Sequence, residues 1–387
     1  MMKAKLLCAV AFCAGAAAAQ VAAEDRADAS MAYAWLDGTL ESYGDFEVTY
    51  DGPPIEIRFS SHLPEVSGLA KFQTQANEIL ELMSNGKIVT TEAWSGTVHS
   101  IKEGREAVRT GLSDVSPCFT LFYPRDYKMV SGLELPFIFE STTGAVLSVQ
   151  QIYPDYLKSE FERYGVSLLR VAMNGPFNLY TREPVRTMED LEGLRFPTAA
   201  SPQILELLGA TLVSGTAAEI YTSLQSGTTD GLHFADIAAP IFRLGELVKY
   251  RTVNSFNTNP LQYCINPDTY ASLPPDLQDV LDRWAYQVTV VEAIIEYDIA
   301  GPKAVQFMTE QYEMESITLS EAEMERWRDR ISVLEENWVA EREADGLPAK
   351  QMLADLRASV AKYEQMTPNE LLMDAIENPI RGIRTAD

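Results

Sequence analysis

Three histidines, His62, His99 and His233, are the only imidazoles in a chain of 387 residues. None stands at metal-ligand spacing from a cysteine or another histidine, and none belongs to a His-Glu helix motif. Cys118 sits in Ser-Pro-Cys-Phe with no base beside it in sequence, so a nucleophilic thiol is not expected. No G-x-S-x-G elbow, Walker loop or G-x-G-x-x-G is present. Carboxylates are too abundant for an acid–base pair to be picked out by counting. The residues therefore suit capture of a solute better than its conversion. The stretch from Ala218 to Gly231 fits that reading: a short amphipathic helix, a stop at Gly227, then Asp230-Gly231 leading into a strand.

The elements around it alternate. Ile55–Phe59 has strand periodicity, Gly68–Met83 has a helical apolar face, and Asn85-Gly86-Lys87 ends that helix. Ile88–Trp94 is the next strand and Ile101–Gly111 the next helix; Val115–Leu121 opens a further apolar strand region. A second set follows, with strands at Val166–Met173, Leu194–Phe196 and Leu232–Phe234 and helices at Pro202–Leu208 and Ala217–Gln225. Thr187 and Asp190 have capping-box spacing. Pro274-Pro275-Asp276 suits a helix start, and Leu277, Val280, Leu281, Trp284, Val288, Val291, Ile295 and Ile299 continue it until Gly301-Pro302 breaks or kinks it. Helices over Met324–Trp338 and Leu347–Tyr363 follow, while residues 24–53 and the tail after Gln365 read as acidic and irregular. Repeated strand–helix units imply an α/β fold with mixed, mostly parallel sheets and helices on both faces. No linker divides the halves, so two lobes joined by crossing strands are expected.

The ends and the charge set the compartment. Lys3 and Lys5 precede an apolar run from Leu6 to Ala19, too short to span a bilayer, and Val21-Ala22-Ala23 suits cleavage. A signal peptide over 1–23 and a periplasmic location follow as expectations. The formal charge of −25 disfavours nucleic acid and anionic lipid surfaces, and direct membrane insertion is not expected. Cys118 and Cys264 would remain after cleavage, either as a disulfide or as two small buried residues.

The 218–231 stretch resembles a signature of the solute-binding proteins of TRAP transporters, the DctP-type family. Asn85-Gly86-Lys87-Ile88, Gly111-Leu112-Ser113-Asp114, Leu135-Pro136-Phe137, Asp190-Leu191-Glu192-Gly193-Leu194-Arg195 and Pro260–Asn266 followed by Tyr270–Gln278 are similar to further family elements, in the same order. The resemblance covers about Ile55 to about Arg330. It implies a two-lobed periplasmic-binding-protein-like fold in which a long helix spans both lobes and a hinge closes on a solute. The segments then divide as an N-terminal extension over 24–53, lobe 1 over 54–171 plus 259–300, lobe 2 over 172–258 plus 301–340, and a C-terminal helix and tail over 341–387.

The family also implies an arginine that grips a solute carboxylate with both oxygens at once. Aligned without a gap, Pro197 falls at that place; with a small deletion Arg195 does, and Arg195 is taken as the ligand-binding residue. A second family arginine is replaced by Phe177, which favours a solute with one anionic group. Phe234 and Asp236 occupy ligand-facing positions of the family, and Trp94, Tyr123 and Tyr263 are wall candidates. The expected function is capture of a small organic acid, a monocarboxylate, for delivery to the small and large integral membrane subunits. No catalysis, cofactor or metal is expected. A neutral or amine-bearing solute, with Asp236 as its partner, and a periplasmic sensor or scaffold serving a receptor are the alternatives.

Overall fold

The computed structural model describes residues 29–198, 202–214 and 219–380, and the expected signal peptide lies outside them. α1 (Ser30–Leu36) leads through an irregular stretch to β1 (Ile55–Ser60). α2 (Gly68–Met83) starts where the Ser67 hydroxyl accepts from the Ala70 N–H, and it buries Phe72, Ala76, Ile79, Leu80 and Met83 on one face. β2 (Ile88–Ala93) and β3 (Val115–Pro117) follow, then α3 (Thr142–Tyr156) and β4 (Ser167–Met173). The second set comprises β5 (Phe177–Thr181), β6 (Arg195–Pro197), β7 (Thr211–Val213), β8 (Gly231–Ala235) and β9 (Tyr250–Val253). β10 (Pro260–Ile265) returns to the first set.

The sheets are mixed. The first runs β2-β1-β3-β10-β4, with β1 parallel to β2 and β3, and β10 antiparallel to β3 and β4. The second includes β11 (Glu315–Thr318) and runs β11-β9-β5-β8, with β5 antiparallel to both neighbours. β6 and β7 form a separate parallel pair. Strand–helix units thus pair in parallel, and the strands that cross between sheets run against them. The crossings are residues 174–176 and 254–259. They are tied by Asn174 N–H to the Asn259 carbonyl and Phe177 N–H to the Asn257 carbonyl, both 3.0 Å. The Asn178 side-chain oxygen accepts from the Asn254 and Ser255 amides.

A long helix runs beside both sheets. α4 (Pro275–Glu292) is buried along most of its length among Phe59, Leu80, Ile88 and Leu169. It widens into a π-helical segment over Ala293–Ile299 and continues as α5 (Ala300–Tyr312), whose Met308 packs under the second sheet. Of the break or kink expected at Gly301-Pro302, the break does not occur; the irregularity is a π segment that ends just before it. Pro302 falls in the first turn of α5, just after the backbone ladder has shifted in the π segment, where a missing N–H costs least.

Three further expectations are corrected. Residues 24–53 are not wholly irregular, because α1 packs Ala32 and Trp35 onto α4, with Trp35 Nε1 donating to Gln287 at 2.8 Å. The helix read over 324–338 is two, α6 (Glu321–Ile331) and α7 (Val333–Ala344). Trp327 and Ile331 bury under the second sheet while Trp338 buries under the first, so the axis must turn at Ser332. After α8 (Ala349–Tyr363) the tail forms α9 (Pro368–Glu377), held at its start by a capping box between Thr367 and Glu370. Cys118 and Cys264, on the adjoining strand ends, form a disulfide with Cα atoms 5.7 Å apart.

Candidate functional site

The carboxyl ends of β1, β2 and β3 share one side of the first sheet, where open α/β sheets leave a crevice. A narrow pocket opens there. Its rim is knit by backbone bonds: Ser61 N–H to the Ala93 carbonyl, Ser95 N–H to Leu63 and Gly96 N–H to Ser61. Trp94 stands at this rim with its Nε1 donating to Glu92 at 3.2 Å. Ser60, Ser61 and Ser116 come from strand ends, Gln73 and Leu69 from α2, and Glu292 from the last turn of α4, against the π segment.

Arg170 projects from β4 into the floor of the pocket and is 2% exposed. Its guanidinium bonds Glu292 through one terminal nitrogen and the Gln73 side-chain oxygen, 2.6 Å away, through the other. Tyr263 of β10 lies over its face, 3.9 Å from ring centroid to guanidinium carbon. Burial opposes the Arg170 charge, and Glu292 more than compensates, so the guanidinium stays above its ordinary value. Burial pushes Glu296, one turn further on, up to about 7, with the Glu292 charge adding to the effect. Ser60 and Ser116 both lie 2.7 Å from His99 Nε2, whose Nδ1 faces the Ser100 carbonyl at 2.8 Å. His62 beside them is pushed down to about 4, chiefly by burial and then by His99, and its Nδ1 has no hydrogen-bond partner.

Of the seven residues singled out from sequence, Trp94 and Tyr263 line this pocket. The other five stand elsewhere. Arg195, at the entry end of β6, makes a two-pronged pair with Asp230: Nε to one carboxylate oxygen and a terminal nitrogen to the other, both 2.8 Å. The Asp230 N–H also donates to the Arg195 carbonyl and the Arg195 N–H to the Asp230 carboxylate, so the pair clamps β6 to the start of β8. Gly231 follows because a Cβ there would meet the Tyr180 carbonyl at 2.6 Å. The Asp-Gly step thus has a structural job. Asp236 is enclosed by Arg251, Asn178 and the Tyr180 hydroxyl, the last at 2.6 Å. Phe177 is buried edge-on to His233 at 5.6 Å, and Phe234 packs on Phe242 at 5.2 Å. Tyr123 lies under Arg105 at 3.6 Å.

Sequence reading missed Arg170, Glu292, Gln73 and the Ser60–His99–Ser116 cluster. A signal existed for two of them, since a charge inside the apolar strand Ser167–Met173 and another at the end of an apolar helix stripe each demand a buried partner. A serine–histidine contact can serve nucleophilic catalysis, but the outer nitrogen of His99 meets a backbone carbonyl and not a carboxylate. Among the described residues, no cluster of three or more His, Cys, Asp or Glu fits a metal ion, and no helix is long and apolar enough to cross a membrane.

The model of bacterial extracellular solute-binding proteins, family 7 (DctP), matches residues 59–341. The chain is 25% identical over 209 residues to the 2,3-diketo-L-gulonate-binding periplasmic protein YiaO of Escherichia coli (strain K12), covering 53% of this chain and 64% of that one. It is 24% identical over 288 residues to the C4-dicarboxylate-binding periplasmic protein DctP of Rhodobacter capsulatus, covering 72% and 85%. Among solved structures, a TRAP periplasmic solute-binding protein from Bordetella bronchiseptica with bound (R)- and (S)-mandelate superposes with a TM-score of 0.70. The identity is 25%, over 80% of this chain and 99% of that chain.

Proposed function

The chain belongs to the bacterial extracellular solute-binding proteins of family 7, and from that premise we propose that it captures a small organic acid, with a single carboxylate, between its two lobes. It does so in the periplasm and hands the solute to the small and large integral membrane subunits of a TRAP-type uptake system. The observation that carries this reading is the pocket at the strand ends of the first sheet, next to the start of the π segment of the long helix. Trp94 and Tyr263 supply aromatic walls, and Ser60 and Ser61 supply polar groups at its edge, which is the composition of a small-molecule site. The relatives that bind sugar acids, dicarboxylates and mandelate support an acid as the solute class.

Arg195 is not assigned the carboxylate-gripping role in this reading, because Asp230 already occupies its fork. The test is a thermal-shift screen of the mature protein against organic acids that include mandelate, benzoate and gluconate. A ligand that binds only the folded form raises the melting temperature by mass action. The best acid is expected to lose roughly tenfold or more in affinity with Trp94→Ala and less than about threefold with Arg195→Ala. Absence of a shift from every acid at millimolar concentration would sink the proposal.

A further inference from the structure

The hydrogen-bond polarity of the pocket leans toward acceptors. The Ser60 hydroxyl has one proton and two inward neighbours, His99 Nε2 at 2.7 Å and Ser113 Oγ at 2.8 Å. Ser113 gives its own proton to the Val115 carbonyl at 2.8 Å, so it can only accept from Ser60. Whichever neighbour takes it, the Ser60 proton points away from the pocket. The Ser100 carbonyl can only accept, so His99 Nδ1 carries a proton and, in the neutral ring, Nε2 takes the proton of Ser116. Both serines therefore turn lone pairs toward a solute.

Several of the pocket's donors are already engaged, although the Ser61 hydroxyl, which accepts from the Leu63 N–H at 3.2 Å, keeps its own proton. The Trp94 indole gives its N–H to Glu92, and the Gln73 amide gives to Asn77 at 2.8 Å. Arg170 is neutralised by Glu292, bonded to Gln73 and covered by Tyr263. One cation against Glu92 and Glu292 leaves the lining formally anionic. A bare carboxylate entering this pocket would meet acceptors and like charge. An ammonium group would meet acceptors, a net opposite charge and the Trp94 ring.

We infer that this pocket receives a positively charged, hydrogen-bond-donating nitrogen of the solute, so that the captured acid is zwitterionic. The inference rests on the organic-acid reading above and narrows it to amino-substituted acids.

The experiment compares matched pairs by thermal shift and calorimetry at neutral pH: phenylalanine with 3-phenylpropionate, 4-aminobutyrate with butyrate, and proline with cyclopentanecarboxylate. The nitrogen-bearing member of at least one pair is expected to bind roughly tenfold or more tightly than its partner. Glu92→Gln, which keeps the shape and removes one charge, is expected to abolish that preference without lowering the melting temperature of the unliganded protein by more than a few degrees. Ser60→Ala serves the same purpose if the first variant fails to fold. If the nitrogen-free acids bind as well as or better than their partners, the inference is overturned and the organic-acid function stands. If no acid of either kind binds, both fall together.

Discussion

Arg170 and Glu292 come from different elements, β4 and α4, and almost no water reaches either of them. A buried pair of this kind adds little net stability, because both charges must be desolvated, but losing one partner strands the other. Glu292→Gln is therefore expected to cost about 3–5 kcal/mol, read as a lower midpoint in urea; an unchanged midpoint would mean that the guanidinium finds another partner. Glu296 gives a different dependence. Its carboxyl, raised to about 7, holds its proton more readily in the folded chain than in the unfolded one. Its favourable contribution is thus full below the unfolded value near pH 4.5 and is lost as pH rises through about 7. Glu296→Gln should stabilise the protein by at most ~3 kcal/mol at pH 8 and by almost nothing at pH 4. Thermal melts of both proteins across that range check the sign. These residues also mark what sequence could supply. Trp94 and Tyr263 were legible as strand-borne aromatics. Arg195 was legible only as a motif position, and a motif does not say that Asp230, 35 residues on, closes the fork. Arg170 was hidden because its partners, Gln73 and Glu292, lie 97 and 122 residues away.

Elements followed local pattern wherever burial and periodicity agreed. α2 and α4 have apolar residues at helical spacing and start signals at Ser67 and Pro274-Pro275, and both begin where their patterns begin. α1 escaped because a seven-residue helix has little period to detect and no side chain caps its start. α9 carried a usable signal, since Thr367-Pro368 with Glu370 is a capping box with proline at the first position, but its acidic surroundings read as tail. Together α1 and α9 cover one side of α4, and the Asp276 carboxylate at its start also takes the Thr49 and Tyr50 amides at 2.7 Å. This layer lies at the edges of the chain, mostly outside the stretch that the family model matches. The disulfide acts on the strands themselves. Cys118 and Cys264 join β3 and β10 across a separation of 146 residues, a loop whose closure is worth about 5 kcal/mol in the chain-entropy picture. The paired replacement Cys118→Ser and Cys264→Ser, or reduction of the native protein, is expected to lower the melting temperature by several degrees while leaving far-ultraviolet circular dichroism unchanged. No change in melting would mean that packing around the two sulfurs carries that part of the sheet alone.

At the scale of the molecule, two crossing segments, the long helix, the α6–α7 pair and the Phe137 side chain all reach from one sheet's core to the other's. Leu135 and Ile138 bury in the core beside the first sheet, but Phe137 between them packs with the core of the second. Its backbone is left-handed, at φ 59°, and its N–H donates to the Phe256 carbonyl at 2.7 Å. Its ring stands edge-on to Phe256 at 5.6 Å and under the Arg328 guanidinium at 4.6 Å. A non-glycine residue in that conformation costs about 1–3 kcal/mol and persists only where its surroundings hold it. Phe137 therefore acts as a pin from the first lobe into the second, close to the crossing residue Phe256. The closure on a solute proposed above would move one lobe against the other and would either turn about this pin or work against it. Small-angle X-ray scattering separates the possibilities. The native protein is expected to become more compact when the acid with the largest thermal shift is added. Phe137→Ala should enlarge the unliganded protein and leave the liganded size unchanged, because the bound solute supplies the contacts that the pin no longer does. Its affinity should fall by the population of closed-competent molecules that is lost, with no change in the pocket itself. An unliganded size equal to that of the native protein would show that the crossing strands, the long helix and the α6–α7 pair alone set the angle between the lobes.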